Sequence, residues 1–143
     1  MPTEITAAPR PALRVLIAED DALNRTVISR MVTRFGHQVT SAVDGQDAVE
    51  KFSAACFDLV LMDSNMPQLS GAEALLRMRA WEAQHGRTPT PAIALTGESA
   101  EQHRDALLEA GFAAFLAKPF GIDELKAIIE RHFPPQSDLP GTD

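Results

Sequence analysis

The amino-acid sequence predicts a parallel α/β fold in which helices cover both faces of a five-stranded sheet. Two observations lead to this prediction. Short apolar segments alternate with amphipathic segments between residues 13 and 133, and such alternation is typical of parallel strands joined by right-handed helical crossovers. In addition, residues 58–62 (DLVLM) are almost continuously apolar, as expected for a strand that is buried on both faces.

The first strand is predicted at residues 13–18, and a helix follows at residues 22–35. Asp21 is expected to cap the start of that helix, and Gly36 to end it. Four apolar residues of the helix recur at i+4 spacing, which is the period of a stripe that packs against a core. The predicted stripe consists of Leu23, Val27, Met31 and Phe35.

The remaining elements continue the alternation. Further strands are predicted at residues 38–42, 58–62, 92–95 and 112–117. One helix begins at Gly45, another covers residues 72–83, and a Ser99–Gln102 capping box starts a helix that ends near Gly111. The last helix is expected to bury Leu125, Ile128 and Ile129.

Residues 13–133 are predicted to form one domain, and the chain of 143 residues is long enough to bury one core. Residues 1–12 are rich in Pro, Ala and Thr and are expected to be a flexible leader. Residues 134–143 are expected to be a flexible tail, because Pro134 and Pro135 stop any preceding helix.

The composition argues against several classes of function. The formal net charge is −7, and the 13 Lys and Arg residues are scattered, whereas a nucleic-acid surface needs clustered cations. The sequence has no apolar run near the ~20 residues of a membrane span and no signal-peptide pattern. The single cysteine, Cys56, is expected to be a small buried hydrophobe, and the four histidines to lie at the surface. We therefore expect a cytoplasmic protein without direct nucleic-acid or membrane contact.

Acidic residues follow the first and third predicted strands. Glu19 and Asp20 come after the first strand, and Asp63 comes after the third. The carboxyl ends of parallel strands lie at one edge of the sheet, where the ligands of such folds bind. Carboxylates that lie close together repel one another unless a cation joins them. Because Mg²⁺ prefers oxygen ligands, the sequence predicts a magnesium site at this edge.

A hydroxyl and an amine complete the predicted site, since Thr96 ends the fourth strand and Lys118 follows the fifth. A phosphoryl group is an anion, and it can approach acidic residues only beside a metal ion and a fixed positive charge. A carboxylate can act as the nucleophile and form an acyl phosphate. Asp63 is the predicted nucleophile, because it stands alone at its strand end whereas Glu19 and Asp20 form a pair suited to holding the ion.

Four motifs of the chain resemble those of a known family. VLIAEDDALNR, DLVLMDSNMPQLSG, ALTG and FLAKPF occur in this order and are similar to the motifs of receiver domains of two-component response regulators. The resemblance extends from residue 13 to about residue 133 and implies a flavodoxin-like, doubly wound fold with strand order 2-1-3-4-5. The EDDALNR segment is closest in style to receivers of hybrid sensor histidine kinases.

The resemblance also implies roles for individual residues. Asp63 matches the phosphorylated aspartate, and Lys118 matches the phosphate-binding lysine, whose peptide bond to Pro119 is typically cis in the family. Asp20 matches the direct metal ligand, and Glu19 matches its acidic neighbour, which usually acts through water.

Three further positions have implied roles. Asn65 matches the residue whose backbone carbonyl completes the metal shell. Thr96 and Phe115 match the two switch residues, a hydroxyl that moves toward the phosphoryl group and an aromatic ring that turns inward behind it. The implied cofactor is Mg²⁺, for which Mn²⁺ would substitute.

The function that the resemblance implies is that of a switch rather than an enzyme, with self-phosphorylation and autodephosphorylation as its only reactions. The phosphodonor would be a sensor histidine kinase or a histidine phosphotransfer protein that docks on the first helix. The last two helices and the strand between them would contact an unknown downstream protein. The chain would be either a stand-alone regulator or the receiver of a larger protein.

Three other functions on such a fold agree less well with the sequence. A flavin-binding electron carrier needs a phosphate-binding loop after the first strand, where Glu19 and Asp20 would repel the phosphate. A magnesium-dependent phosphatase with an aspartyl intermediate would carry its nucleophile after the first strand, whereas Asp63 follows the third. A degenerate receiver would usually lack the acceptor aspartate or the lysine, and both are present.

Overall fold

The computed structural model describes residues 12–97 and 104–133. These residues form five parallel strands and five helices that alternate along the chain. The strands are β1 (Arg14–Ala18), β2 (Gln38–Ala42), β3 (Leu59–Asp63), β4 (Ala92–Thr96) and β5 (Ala114–Ala117). The helices are α1 (Ala22–Arg34), α2 (Gly45–Ala54), α3 (Gly71–Gln84), α4 (Arg104–Ala110) and α5 (Ile122–His132). The sheet order is β2-β1-β3-β4-β5, which confirms the predicted order 2-1-3-4-5.

The strand register aligns the carboxyl ends of the strands along one edge of the sheet. The last residue of β1 pairs with Met62, the last but one of β3, so Glu19 and Asp63 occupy neighbouring positions. Thr96 pairs with the last residue of β5, so Lys118 follows at the same level. Side chains from distant parts of the sequence are thereby collected at one place.

Two apolar clusters, one on each face of the sheet, form the core. Alternate strand residues contribute to opposite clusters, as the two-residue period of a strand requires. One cluster packs β1, β3 and β4 against α2, α3 and α4, and the other packs the same strands against α1 and α5. Every residue of β3 and β4 is buried, which confirms the prediction that the central strand is covered on both faces.

Local hydrogen bonds fix where the helices begin. The side chain of Asp21 accepts a hydrogen bond from the backbone N–H of Leu23 (3.3 Å) and caps α1, as predicted. A capping box starts α3, in which Ser70 and Glu73 each accept a hydrogen bond from the other's backbone N–H. The first turn of α3 is therefore held directly after the loop that follows Asp63.

The predicted buried stripe of α1 is wrong in its first half. Leu23 is 70% exposed and Val27 is 42% exposed, whereas Ile28 and Val32 are buried. Met31 and Phe35 are partly buried against the apolar cluster that contains Ile28 and Val32. Because each i+4 step advances about 40° around a helix, four such residues drift across about 120°. Only part of that arc faces the sheet.

Two side chains lie in environments that differ from those expected. His37 is buried rather than at the surface, and its Nδ1 accepts a hydrogen bond from the backbone N–H of Leu13 (3.0 Å). The turn after α1 brings His37 back to the start of β1, which explains its burial. Cys56 is exposed rather than buried, because it lies in the loop between α2 and β3, where Arg87 donates to its Sγ (3.4 Å).

The element boundaries differ from the predicted ones by one or two residues. For example, β3 ends at Asp63 and β5 begins at Ala114, against predicted limits of 62 and 112. The predicted tail, the Ser99–Gln102 capping box and all but residue 12 of the predicted leader lie outside the described residues. None of the described helices combines the length and the apolar character that a membrane-spanning segment needs.

Candidate functional site

Three carboxylates meet at the carboxyl edge of the sheet. Glu19, Asp20 and Asp63 each offer one carboxylate oxygen, and these oxygens all lie within 4.8 Å of one another. Glu19 is 1% exposed and Asp63 is 4% exposed, whereas Asp20 is open to solvent. The structure thus brings together the three acidic side chains that the sequence predicts at the metal site.

Lys118 places its amine against two of these carboxylates. Its Nζ lies 2.9 Å from Oε1 of Glu19 and 3.4 Å from Oδ2 of Asp63. The backbone N–H of Lys118 donates to the carbonyl oxygen of Thr96 (2.6 Å), which ties the end of β5 to the end of β4. The peptide bond between Lys118 and Pro119 is cis, as the resemblance implied.

Burial disfavours the charged form of Asp63 and raises the pKa of this carboxyl to about 6 from an ordinary value of 3.8. A hydrogen bond from the backbone N–H of Asn65 (3.0 Å) lowers the pKa of Asp63, the charge of Glu19 raises it, and the charge of Lys118 lowers it. Burial also disfavours the charged amine of Lys118, but the hydrogen bond with Glu19 and the charge of Asp63 outweigh burial, so the pKa of Lys118 lies above its ordinary value. Two buried carboxylates therefore compete for one charged amine.

The donor set fits a hard divalent cation. It consists of carboxylate oxygens, which Mg²⁺ prefers, and it holds more negative charge than one amine neutralises. Burial, with a further contribution from the charge of Glu19, raises the pKa of Asp63, and a cation that joined the carboxylates would favour their ionised forms. Asn65 is exposed two residues beyond Asp63, and the role of its backbone carbonyl as a further ligand remains a prediction.

The two predicted switch residues lie on the paired strands β4 and β5. Thr96 is buried at the end of β4, and its hydroxyl lies 3.4 Å from the carbonyl oxygen of Gly97. Phe115 is half-buried, pairs with Ala94 of β4 and packs against the cluster formed with α2, α3 and α4. Thr96 and Phe115 therefore lie on adjacent strands, and Phe115 is two residues before Ala117, the residue that pairs with Thr96.

Gly71 supports the site, and the sequence analysis missed it. A Cβ atom at this position would lie 2.5 Å from the carbonyl oxygen of Asp63 and 2.9 Å from the Cα of Ser64. The start of α3 therefore packs against the backbone at the end of β3, and a glycine allows this close approach. The signal that could have revealed it is the S-x-x-E pattern of Ser70 and Glu73, which fixes where α3 begins.

Arg25 is a second residue whose part in the site the sequence analysis did not identify. Its Nη1 donates to the carbonyl oxygen of Glu19 (2.9 Å) and lies 3.5 Å from that of Asp20. Arg25 thus connects α1 with the turn that carries two of the three carboxylates.

An apolar groove of about 460 Å³ lies beside the acidic cluster. Val27 and Met31 of α1 line one side of it, and Lys118, Pro119 and Phe120 line the other. Val27, which was expected to pack against the core, therefore borders the candidate site instead.

Comparison with known proteins identifies the family. Residues 15–130 match the response regulator receiver domain, and this range covers most of the chain. The chain belongs to the response regulator receiver domain family of two-component signalling. Receiver domains are phosphoacceptor switches and generally are not enzymes.

The curated relatives are longer than this chain. The transcription factor SKN7 of Candida albicans is 36% identical over 127 residues, which make up 89% of this chain and 22% of that protein. Other relatives include hybrid histidine kinases of Dictyostelium discoideum. The chain spans less than half the length of each of these relatives.

The solved structures that share the fold include two receiver domains. The receiver domain of the sensor histidine kinase PA1611 from Pseudomonas aeruginosa, with a magnesium ion coordinated in its active-site cleft, is 35% identical with a TM-score of 0.73, covering 85% of this chain and 97% of that one. The receiver domain of Ssk1 from Saccharomyces cerevisiae was crystallised with the histidine phosphotransfer protein Ypd1. It is 27% identical with a TM-score of 0.80, covering 87% of this chain and 90% of that one.

Proposed function

We propose that this chain accepts a phosphoryl group on Asp63 and works as a phosphorylation-dependent switch in a two-component phosphorelay. The observation that carries the proposal is the burial of Asp63 at the sheet edge, together with Glu19, Asp20 and the amine of Lys118. An acidic nucleophile needs compensating positive charge before an anionic substrate can approach it. Lys118 supplies one such charge, and the carboxylates of Glu19 and Asp20 are placed to hold a cation that would supply more.

In the proposed reaction, a carboxylate oxygen of Asp63 attacks the phosphorus atom of a phosphohistidine. The new O–P bond forms while the P–N bond breaks, and the imidazole leaves with the electron pair of that bond. Lys118 neutralises charge on the phosphoryl oxygens, and the hydroxyl of Thr96 donates a hydrogen bond to one of them. Because the pKa of Asp63 is about 6, its carboxylate is mostly ionised, and therefore nucleophilic, at neutral pH.

The proposed cofactor is Mg²⁺, for which Mn²⁺ would substitute. Asp20 and Asp63 would hold the ion directly, Glu19 would hold it through water, and the backbone carbonyl of Asn65 would complete the set. When bound, the ion supplies positive charge against the carboxylates and the phosphoryl oxygens. The clustering of the carboxylate oxygens within 4.8 Å and the magnesium ion in the related PA1611 receiver support this part of the proposal.

The proposed phosphodonor is a sensor histidine kinase or a histidine phosphotransfer protein that docks on α1. Leu23 and Val27 expose apolar surface on α1, and Val27 also lines the groove beside Lys118. A partner that covered this surface would lie next to the opening of the acidic site. The phosphotransfer protein bound to the related Ssk1 receiver supports a donor of this class.

The proposed output is a change in the binding of a downstream protein to the face formed by α4, β5 and α5. A phosphoryl group brings about −1.5 to −2 charges to Asp63. Movement of the Thr96 hydroxyl toward the new oxygens would favour one of two states of this face, and the half-buried ring of Phe115 would turn inward in that state. The pairing of β4 with β5 supports such a link.

We further propose that the chain acts in the cytoplasm, without direct contact with nucleic acid or membrane. It would act either as a stand-alone regulator or as the receiver of a larger signalling protein, since its relatives are longer than it is. The only reaction of the phosphorylated chain would be autodephosphorylation, the hydrolysis of its own aspartyl phosphate.

Incubation with Mg²⁺ and a small acyl phosphate tests the proposal. The intact mass should rise by one phosphoryl group, and chelation of the metal by EDTA should prevent this gain. Asp63→Asn should abolish labelling, whereas Cys56→Ser, at an exposed loop residue, should leave it unchanged. Labelling that survives Asp63→Asn would place the acceptor elsewhere, and an unchanged wild-type mass would contradict the proposal.

A further inference from the structure

The turn between β1 and α1 is held from the helix side by Arg25. The half-buried guanidinium of Arg25 donates through Nη1 to the carbonyl oxygen of Glu19 (2.9 Å) and lies 3.5 Å from that of Asp20. Both carbonyl groups belong to residues that follow the last residue of β1, Ala18. The side chain of Arg25 therefore supplies an anchor for this part of the backbone.

Other contacts hold the same turn from the sheet side. The backbone N–H of Glu19 donates to the carbonyl oxygen of Ala42 at the end of β2 (3.2 Å). The carboxylate of Glu19 accepts from Lys118 through Oε1 (2.9 Å) and from the backbone N–H of Asp21 through Oε2 (3.3 Å). Arg25 differs from these groups because it contacts the backbone carbonyls of both acidic residues and leaves their carboxylates available.

We infer that Arg25 is a positioning residue, which sets the geometry of the magnesium site by holding Glu19 and Asp20 in place. This inference rests on the proposed function, because it assumes that the site binds Mg²⁺. Mg²⁺ requires a nearly ideal octahedron with ligands at about 2.0–2.1 Å. Carboxylates on a loosened turn would therefore bind the ion less tightly.

The positive charge of Arg25 offers a way to separate positioning from simple electrostatics. If Arg25 acted through its charge alone, its removal would strengthen Mg²⁺ binding, because like charges repel. If Arg25 acts by holding the turn, its removal weakens Mg²⁺ binding. The two roles thus predict opposite changes in the dissociation constant.

Calorimetric titration with Mg²⁺ tests the inference on the wild-type chain and three variants. Arg25→Met removes the donor but keeps helix propensity, and Arg25→Lys keeps the charge and one donor group. Arg30→Met is the matched control, since Arg30 is an exposed residue of α1 whose side chain makes no hydrogen bond or ion pair among residues 12–97 and 104–133. Arg25→Met should raise the dissociation constant about 10-fold, Arg25→Lys should raise it less, and Arg30→Met should leave it unchanged.

Thermal unfolding in EDTA supplies the readout that distinguishes a purely structural role. A lower unfolding temperature for Arg25→Met with an unchanged dissociation constant would overturn the inference, and so would tighter Mg²⁺ binding. If Arg25→Met does not fold, Arg25→Gln, with a shorter side chain, is judged by the same criterion. A wild-type chain that binds no Mg²⁺ would contradict the proposed function as well, whereas normal wild-type binding with an unaffected Arg25→Met would contradict only the role of Arg25.

Discussion

The acidic site at the carboxyl edge of the sheet and the buried carboxylate of Glu82 near the end of α3 hold negative charge in different ways. Glu82 is 2% exposed, yet each of its oxygens has a donor of its own. Oε1 lies 2.9 Å from Nη1 of Arg79, and Oε2 accepts a hydrogen bond from the backbone N–H of Thr90 (2.7 Å). Arg79 also donates to the carbonyl oxygen of Thr90 (2.8 Å), so this group of residues forms a closed network.

At the carboxyl edge, by contrast, the donors are shared. Lys118 contacts both Glu19 and Asp63 and lies closer to Glu19, and burial raises the pKa of Asp63 to about 6. The network around Glu82 is complete within the protein, whereas the edge site holds charge that only a further cation would balance. The difference shows that burial alone does not distinguish a candidate functional carboxylate from a structural one. Incomplete compensation of charge in a cleft indicates a candidate functional carboxylate, because polar groups with a purely structural role are normally satisfied.

The largest change in the free energy of unfolding is expected when the charge of Glu82 is removed from its network. Glu82→Gln should lower the free energy of unfolding by about 2–3 kcal/mol, because it leaves the guanidinium of Arg79 without its charged partner. Arg79 is 25% exposed, which keeps the loss below that of a fully buried pair. Urea denaturation in EDTA measures the change. Phosphorylation with a small acyl phosphate should be retained, since Thr90 and Glu82 lie at the opposite edge of the sheet from Asp63.

Glu109→Gln is the control for this first prediction, because Glu109 is an exposed residue of α4. Its free energy of unfolding should stay within about 0.5 kcal/mol of wild type. Equal stabilities of the two variants would show that the charge of Glu82 is not required in its network. If the Glu82→Gln variant is fully folded but is not phosphorylated, the network around Glu82 and the acidic site are coupled.

A smaller loss in the free energy of unfolding is expected where α3 packs against the end of β3. Gly71→Ala places a methyl group 2.5 Å from the carbonyl oxygen of Asp63, so backbone must move, at a cost of about 2 kcal/mol. Phosphorylation should also slow, because the displaced backbone carries Asp63, the proposed nucleophile. Gly121→Ala is the matched control, since its nearest neighbour, an oxygen of Glu124, would be 3.8 Å away. Similar losses in urea denaturation for both variants would contradict the proposed steric limit at Gly71.

The difference between the two regions also explains how much could be predicted from the sequence. The side chains of the edge site lie at or shortly after the carboxyl ends of strands, and parallel strands end at a common edge. Asp63, Lys118 and Glu19 could therefore be assigned to one place before their distances were known. The alternation of apolar and amphipathic segments was sufficient for the fold class, because both kinds of element have a characteristic period.

The burial of Glu82 could not be predicted in this way. A glutamate in the last turn of a helix is usually exposed. Arg79 lies one turn before Glu82 on α3, but Thr90 is brought to Glu82 by packing of the loop before β4. The misassigned stripe of α1 has a similar cause. Periodicity indicates that an apolar face exists, but the packing of α1 on the sheet decides that Ile28 is buried and that Leu23 and Val27 are exposed.

The smallest change in the free energy of unfolding is expected for Asp63→Asn in protein without metal. This variant should be more stable than wild type, whereas the two variants above should be less stable. The pKa of Asp63 is about 6 in the folded chain and should be close to the ordinary 3.8 in the unfolded chain. The folded state therefore binds a proton more tightly than the unfolded state does. Above about pH 6 the ionised Asp63 destabilises the fold, and this destabilisation fades as the pH falls from about 6 toward 4.

Asp63→Asn removes the charge and should raise the free energy of unfolding by about 1 kcal/mol at pH 8 in EDTA. The gain is smaller than the pKa of Asp63 alone would give, because the charged amine of Lys118 loses one of its two partners. Urea denaturation at a series of pH values should show the gain shrinking between about pH 6 and pH 4. A gain that does not depend on pH would mean that the carboxylate of Asp63 is already compensated, as that of Glu82 is, and the contrast between the two regions would then be lost.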